Sequence, residues 1–482
     1  MNYKIVSIVL GLFLAIGSTV FQREAVAVQA PTEHELALLD LINQARIDPR
    51  TAIARVGLDP DLVGENIPAL RHVLDTGMDP LVFHPKLYSA AGKHTQDMFQ
   101  YSQVGRVLPD GLSPMDRVLE QGYPALEVGL SAGGVVFQNF IAPENALQSI
   151  FSSMFVDELN SGDDKSLVLL NPDFSEMGIT LIPGEIVLEE HTRKGYLSSC
   201  FSGHSSGMEV SSLLHEMINM VRDRPEHVLT DMNPEFILFE ENAPDSENLN
   251  SGFRRMPPLA WNQALVSAGL NHVFDIEEHL YYGPVSPDGQ DPFSRSYRFG
   301  YEAEKASSPL AFVEIQEGWS AGHYALELFE QLVVQEILSP DGPEHILSDG
   351  FSEIGLGVGV ITLETAPGTW TSYMLLSAHL ARPASPRLFV LGGVYRAQRD
   401  EAGQEHWEGI PGLKIELAEL TGGVLDSSIT GRTGLFQIPV ISGMNRVDLF
   451  VDGVVIASKA IVMPQKNTFI NFILRDIRLD VD

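Results

Sequence analysis

Pro80-Leu81-Val82-Phe83 is answered by Pro258-Leu259-Ala260-Trp261, 258 against 80, an offset of 178. The same offset carries His94 and Asp97 onto His272 and Asp275, Asp110-Gly111 onto Asp288-Gly289, Arg117 onto Arg295, and Gly122-Tyr123 onto Gly300-Tyr301. Upstream, Asn43, Arg46 and Pro49 match Asn219, Arg222 and Pro225; downstream, Phe174-Ser175-Glu176 and Gly178 match Phe351-Ser352-Glu353 and Gly355. Register kept over this distance marks a duplicated domain, and a period of a whole domain's length excludes a solenoid. The copies are expected over 31–204 and 208–382.

Each copy mixes helix and strand signals. Thr32 and Glu35 make a capping box ahead of Leu36, Leu39 and Ile42. Leu213, Leu214, Met217, Ile218 and Val221 repeat that helical spacing in the second copy. A second stripe, Leu87, Ala91, His94, Met98 and Tyr101, is matched by Leu265, Gly269, His272, Ile276 and His279. The closing segments are strand-like: Met177 to Ile182 with Glu185 to Leu188, and Ile354 to Ile361 with Ser372 to Ser377. The expected fold class is α+β, with helices flanking a central antiparallel sheet in each copy.

From about Pro386 the period changes. Leu413, Ile415 and Leu417 alternate, as do Val447, Leu449 and Val451, and Asp452-Gly453 reads as a two-residue hairpin turn into Val454 and Ile456. Gly422-Gly423 and Thr433-Gly434 mark further turns. Residues 386–482 are expected to form an all-β sandwich.

The chain of 482 residues is strongly acidic, with Lys+Arg 31 against Asp+Glu 64 and a formal charge of −33. A field of that sign repels phosphate backbones and anionic lipid, which excludes nucleic acid as a partner class. Residues 1–27 read as a signal peptide: a positive start at Met1 to Lys4, an apolar stretch from Ile5 to Val20, and Ala25-Val26-Ala27 as a small-x-small cleavage site. The alternative is an uncleaved anchor, since the stretch approaches the ~20 residues that span a bilayer. The expected location is secreted, extracellular or periplasmic, with no stable membrane insertion after cleavage. Cys200 is the single cysteine, so no internal disulfide forms. His204 is near it in sequence, but the surrounding Ser-Ser-Cys-Phe-Ser-Gly run reads as the end of a strand and the thiol as structural.

The order of these signals resembles the bacterial branch of the CAP superfamily, also called SCP, after cysteine-rich secretory proteins, antigen 5 and pathogenesis-related proteins. The resemblance covers most of 33–200 and 213–380 and implies two tandem α-β-α sandwich domains, each with a groove, in an exported protein. The C-terminal segment, with Gly392-Gly393-Val394-Tyr395, Gly409-Ile410-Pro411-Gly412 and Thr430-Gly431-Arg432-Thr433-Gly434, resembles collagen-adhesin B-type and carboxypeptidase-regulatory-like β-sandwiches. That resemblance implies a stalk or spacer.

CAP domains typically carry a groove tetrad of two His and acidic partners. Counting to its places, the first His falls near Arg106 and Pro284, the Glu near Leu130 and Ser308, and the second His near Lys165 and Gly342. A slip of one or two residues brings in Glu127 or His345, one member per copy and no constellation. The tetrad is therefore not found in either copy, and neither a metal nor a cofactor is expected.

His94 with Asp97, and His272 with Asp275, remain as pairs at i, i+3, where the carboxylate can orient the ring. They read either as groove-edge acid/base or ligand contacts or as histidines bonded within an apolar stripe. Asp110-Gly111 and Asp288-Gly289, with Asp116 or Asp291, read as plain turns rather than calcium loops. Asp400, Glu401, Glu405 and Glu408 read as solvated charge. No P-loop, dinucleotide fingerprint, His-Glu-x-x-His or Gly-x-Ser-x-Gly is present. The functional expectation is an exported non-catalytic protein that binds an extracellular lipid, glycan or protein through a groove or the interface of its two degenerate domains. The alternatives are a secreted hydrolase of peptide or cell-wall material, which requires at least two His and one Glu in a cleft, and a structural surface-assembly module.

Overall fold

The computed structural model describes residues 31–71, 73–137, 141–162, 166–188, 191–225, 255–316, 318–339, 344–366, 369–399, 405–419, 423–431, 434–440, 445–451, 454–461 and 466–474. The signal peptide expected over 1–27 lies outside them, as do Lys165, Gly342, Asp400, Glu401, Gly422, Arg432, Thr433 and Asp452-Gly453. Helices and strands both contribute heavily, so the chain is α+β. It divides into two compact units: Met1–Met208 with Phe274–Tyr281, and Glu209–Val273 with Tyr282–Asp482. No described helix is long and apolar enough to cross a membrane.

The first unit opens with α1 (Glu33–Ile47), started by the Thr32–Glu35 capping box. Short helices α2 (Pro49–Arg55), α3 (Pro60–Asn66) and α4 (Pro68–Arg71) follow, and then β1 (Val82–Phe83) leads straight into α5 (Pro85–Tyr101). After α6 (Pro114–Glu120) come β2 (Ala125–Phe137), α7 (Pro143–Asn160), β3 (Glu176–Ile179), β4 (Ile182–Leu188) and the long β5 (His191–Ser205). The sheet order is β1-β3-β5-β2, with β4 also on β5. The expectation of an antiparallel sheet is corrected, because β1 runs parallel to β3. Two residues before a helix leave no room for a hairpin, so β1 reaches the sheet by a crossover through α5, α6, β2 and α7. The strand expected from Met177 through Ile182 breaks at Thr180–Leu181, and β4 runs unbroken through Pro183-Gly184. At the break, Leu181 N–H donates to Glu35 Oε1 at 3.0 Å instead of joining a ladder.

The second unit holds most of α8 (Ser206–Asp223), β6 (Ala260–Trp261), most of α9 (Gln263–His279), α10 (Pro292–Arg298), β7 (Ala303–Ser307), β8 (Leu310–Glu314), α11 (Ala321–Leu338), β9 (Glu353–Ala366) and β10 (Thr369–Pro383). Its sheet order, β6-β9-β10-β7 with β8 on β10, is that of the first sheet, and β6 is parallel to β9. Its core gathers α8 (Val210, Leu214, Ile218), α11 (Leu328, Leu332) and the inner face of β9 and β10 (Leu356, Leu376).

The rest of the second unit is all β among the described residues. One sheet contains β11 (Phe389–Arg399), β12 (Glu405–Gly409), β15 (Leu435–Pro439), β18 (Thr468–Phe469) and β19 (Phe472–Leu474). The other contains β13 (Lys414–Glu419), β14 (Val424–Ile429), β16 (Asn445–Val451) and β17 (Val454–Ile461). The alternating Ile415, Leu417, Val447 and Leu449 meet Val390, Val394, Phe436 and Phe472 in one core, so each sheet buries one face against the other.

Candidate functional site

The repeated Asn and Arg of the sequence are structural clamps. Asn43 on α1 holds both backbone groups of Leu81, donating to its carbonyl at 3.0 Å and accepting from its N–H at 2.8 Å. Asn219 on α8 does the same to Leu259, at 3.1 and 2.8 Å. Arg46 is buried and donates to the carbonyls of Asp79, Leu169, Asn171 and Phe174. Arg222 donates to those of Pro257, Ile346 and Ser348. The N–H groups of the same loops go to a buried carboxylate. Glu158 accepts from Leu169 and Leu170, and Glu336 from Glu344, His345 and Ile346. Each loop thus has its carbonyls held by a guanidinium and its N–H groups by a carboxylate, which satisfies a buried irregular backbone without water. Sequence reading missed Glu158 and Glu336, although both lie in matching helices, 178 residues apart.

The closing Phe-Ser-Glu-x-Gly motif serves helix–sheet contact. A Cβ on Gly178 would lie 2.0 Å from the Leu87 carbonyl carbon of α5, and one on Gly355 would lie 2.1 Å from Val266 N of α9. Only a hydrogen at that position lets the helix backbone sit on the strand.

The candidate site residues do not assemble into a catalytic group. His94 is fully buried; its Nε2 bonds Gly105 O at 2.9 Å, its Nδ1 has no partner among the described residues, and its ring meets Phe201 edge-on. Burial lowers its pKa, so the ring is neutral. Asp97 does not orient His94, which corrects the expected pairing. Asp97 accepts instead from buried Arg117 at 2.7 Å, and the same guanidinium holds Asp110 at 2.5 Å. A charged donor outcompetes a neutral imidazole for the carboxylate. His272 bonds Ser377 Oγ at 2.8 Å and Gly283 O at 3.0 Å, and burial brings its pKa down to about 3. Asp275 turns to Tyr281 Oη at 2.5 Å and His279 Nδ1 at 2.9 Å, so that pairing is corrected too.

At the tetrad places, Leu130 is buried in the apolar cluster with Leu87 and Phe201. Arg106 donates to Ser166 O at 3.3 Å, and Ser308 is buried. Glu127 is exposed on β2, in register opposite His204. His345 is half-buried and meets Ser307 Oγ at 2.8 Å. The Asp-Gly turns carry glycines at φ 74° and 88°. Asp116 completes the capping box that Ser113 opens on α6, and Asp291 is the N-cap of α10. Cys200 is buried and its thiol is pushed up to about 12 by desolvation, while His204 bonds Ser175 Oγ at 2.8 Å. Among the described residues, no group of three or more His, Cys, Asp or Glu is placed to hold a metal ion.

A polar cluster that the sequence did not announce lies under β1 and β3. Tyr123 Oη donates to Glu176 Oε2 at 2.9 Å, and Glu176 Oε1 lies 3.8 Å from His84 Nε2 without a hydrogen bond among the described residues. His84 Nδ1 accepts from Lys86 N–H, so the neutral ring carries its proton on the nitrogen facing Glu176. Burial raises Glu176 to about 7 and lowers His84 to about 3. The matching places of the second unit hold Asn262, Tyr301 and Glu353, and there Arg387 donates to Glu353 Oε1 at 2.9 Å. Around that contact, Tyr395 Oη donates to Glu216, Gln437 bonds both backbone groups of Trp261, and Asn467 donates to Pro258 O and Ser352 O. The all-β segment is therefore tied to the second α/β sheet by polar contacts on strand-edge backbone.

Comparison with solved structures finds an extracellular protein containing an SCP domain from Bacillus anthracis str. Ames, 14% identical over 42% of this chain and 59% of that one, with a TM-score of 0.23. The match spans less than two thirds of that protein's length. No protein-family model matches the chain, and no characterised protein matches it in sequence.

Proposed function

We propose that this chain is an exported, non-catalytic binding protein of two degenerate CAP-like domains, 31–204 and 208–382, with a β-sandwich, 386–482, docked on the second. One observation carries the reading. The places at which a polar tetrad would stand are taken by core and backbone-bound side chains, Leu130 and Ser308 buried and Arg106 on Ser166 O, while His94 and His272 are tied to the carbonyls of Gly105 and Gly283. The duplication is supported by Asn43 and Asn219, Arg46 and Arg222, and Glu158 and Glu336 doing the same work in sheets of the same strand order. Docking of the sandwich is supported by Arg387, Tyr395, Gln437 and Asn467. Export rests on the signal-like residues 1–27.

The test is metal content and melting temperature of the dialysed protein, repeated with zinc, calcium or a chelator, beside hydrolysis assays on peptide and cell-wall substrates. The expected result is no stoichiometric metal, no shift and no turnover. A native-state ligand at 100 times its Kd adds ~2.7 kcal/mol. Stoichiometric zinc with a melting rise of that order, or metal-dependent turnover, overturns the reading.

A further inference from the structure

A pocket of about 260 Å³ opens in the second unit, lined by Asp223, Arg224, Arg255, Lys459, Phe469 and Ile470, with Asn471 and Ile473 completing the wall. Three cations line it, two of them on one carboxylate, Asp223, in a chain whose formal charge is −33. Arg255 uses Nε and one terminal nitrogen on Asp223 Oδ1, at 2.7 and 2.5 Å, and Arg224 uses Nε on Asp223 Oδ2 at 3.4 Å. Lys459 Nζ donates to Asn471 O at 2.5 Å and lies over the Phe472 ring, 5.4 Å from its centroid. The other terminal nitrogen of Arg255, both of Arg224 and two ammonium protons of Lys459 are left over as donors among the described residues. Asp223 offsets one charge of three, so the pocket keeps a surplus of positive charge beside an apolar wall.

We propose that this pocket binds a small organic carboxylate. Guanidinium pairs carboxylate through two parallel N–H donors, and Lys459 in the same lining adds a point charge. The wall of Phe469, Ile470 and Ile473 favours an anion with an apolar body over a hydrated inorganic one. The proposal does not rest on the CAP-like reading, since its argument uses only the charges and apolar wall of this pocket.

The test is titration calorimetry of the full chain at low ionic strength with adipate, 1,6-hexanediol and inorganic sulfate. Adipate is expected to bind saturably at one site, to weaken as salt is added, and to lose about tenfold in affinity in Lys459→Gln and in Arg255→Gln. Hexanediol is expected not to bind and sulfate to bind more weakly. Lys459→Gln touches no carboxylate, so it separates loss of the cation from release of Asp223; both variants change exposed side chains, and unchanged melting confirms the fold. The proposal is overturned if adipate does not bind, if hexanediol or sulfate binds as tightly, or if both variants bind like the parent. It is equally overturned if adipate binds only after removal of residues 226–250, whose seven carboxylates would then be the occupant.

Discussion

Arg387 Nε stands 2.9 Å from Glu353 Oε1, with the guanidinium carbon 5.4 Å from the Tyr301 ring centroid. Glu353 is buried, and burial raises its pKa; Arg387, half-exposed on the all-β side, offsets that cost. Arg387→Ala is expected to destabilise the second unit by about 1–3 kcal/mol at pH 8, because it leaves a buried carboxylate unpaired. The loss should be smaller at pH 5 than at pH 8, since burial raises the Glu353 pKa and favours its neutral form as pH falls, and should largely vanish in the double variant with Glu353→Gln. Urea unfolding of the four proteins at the two pH values measures this.

Glu176 is an acid whose folded pKa, about 7, lies above its ordinary 4.5. The folded chain holds a proton that the unfolded chain releases between those values, so this group makes stability fall as pH rises through them. Glu176→Gln carries no such loss. It is expected to match the parent near pH 4.5 and exceed it at pH 8 by on the order of 1–3 kcal/mol, read from urea midpoints.

The histidines act in the opposite sense. His84, His215 and His272 are lowered by burial to about 3, 4 and 3 from 6.5. Each contributes stability that is present above 6.5 and lost as pH falls toward the folded value, by about 1.4 kcal/mol per pH unit. The three rings together pull the urea midpoint down between pH 6.5 and 4.5, against buried acids such as Glu176 and Glu353, whose raised pKa acts in the opposite sense. His215→Gln removes one of these contributions, so its midpoint is expected to fall less than the parent's over that range, and an identical fall would contradict the burial of this ring.

Arg46→Met should cost about 3–5 kcal/mol, since four carbonyls, those of Leu169 and Phe174 buried, lose their donor while Glu158 stays buried. Arg46→Lys should recover little, because an ammonium cannot reach carbonyls fanned around a planar fork. Arg222→Met should behave alike. Thermal unfolding measures all three.

Gly178→Ala and Gly355→Ala place a methyl within 2.0 and 2.1 Å of helix backbone. Costs at the upper end of about 1–3 kcal/mol are expected by the same measurement, with Gly57→Ala, where a Cβ meets nothing within 4 Å, showing the smaller cost of positive φ alone.

Much of the secondary structure was legible because it follows from local chemistry. The Thr32–Glu35 box starts α1, the 3.6-residue stripes become α5 and α9, and the alternation from Leu413 onward becomes paired sheets. Tyr101 and His279 were placed on the same stripes, yet both are largely exposed, because each closes its helix where the apolar face ends. The parallel pairing of β1 and the break at Thr180–Leu181 were not legible. Both depend on partners far along the chain, β3 for the first and Glu35 for the second.

The sequence by itself determined which residues recur and at what spacing, because a repeat is a property of the string. It could not say what Asn43, Arg46 or Glu158 recur for, since their partners are backbone groups, which carry no identity in sequence. The tertiary structure alone decided that Asp97 goes to Arg117 rather than His94, that Glu176 and His84 share a buried corner, and that Arg387 reaches Glu353. In each case a short-range preference was overruled by a stronger or better-placed partner brought up by the fold, and competition between partners is settled only in three dimensions.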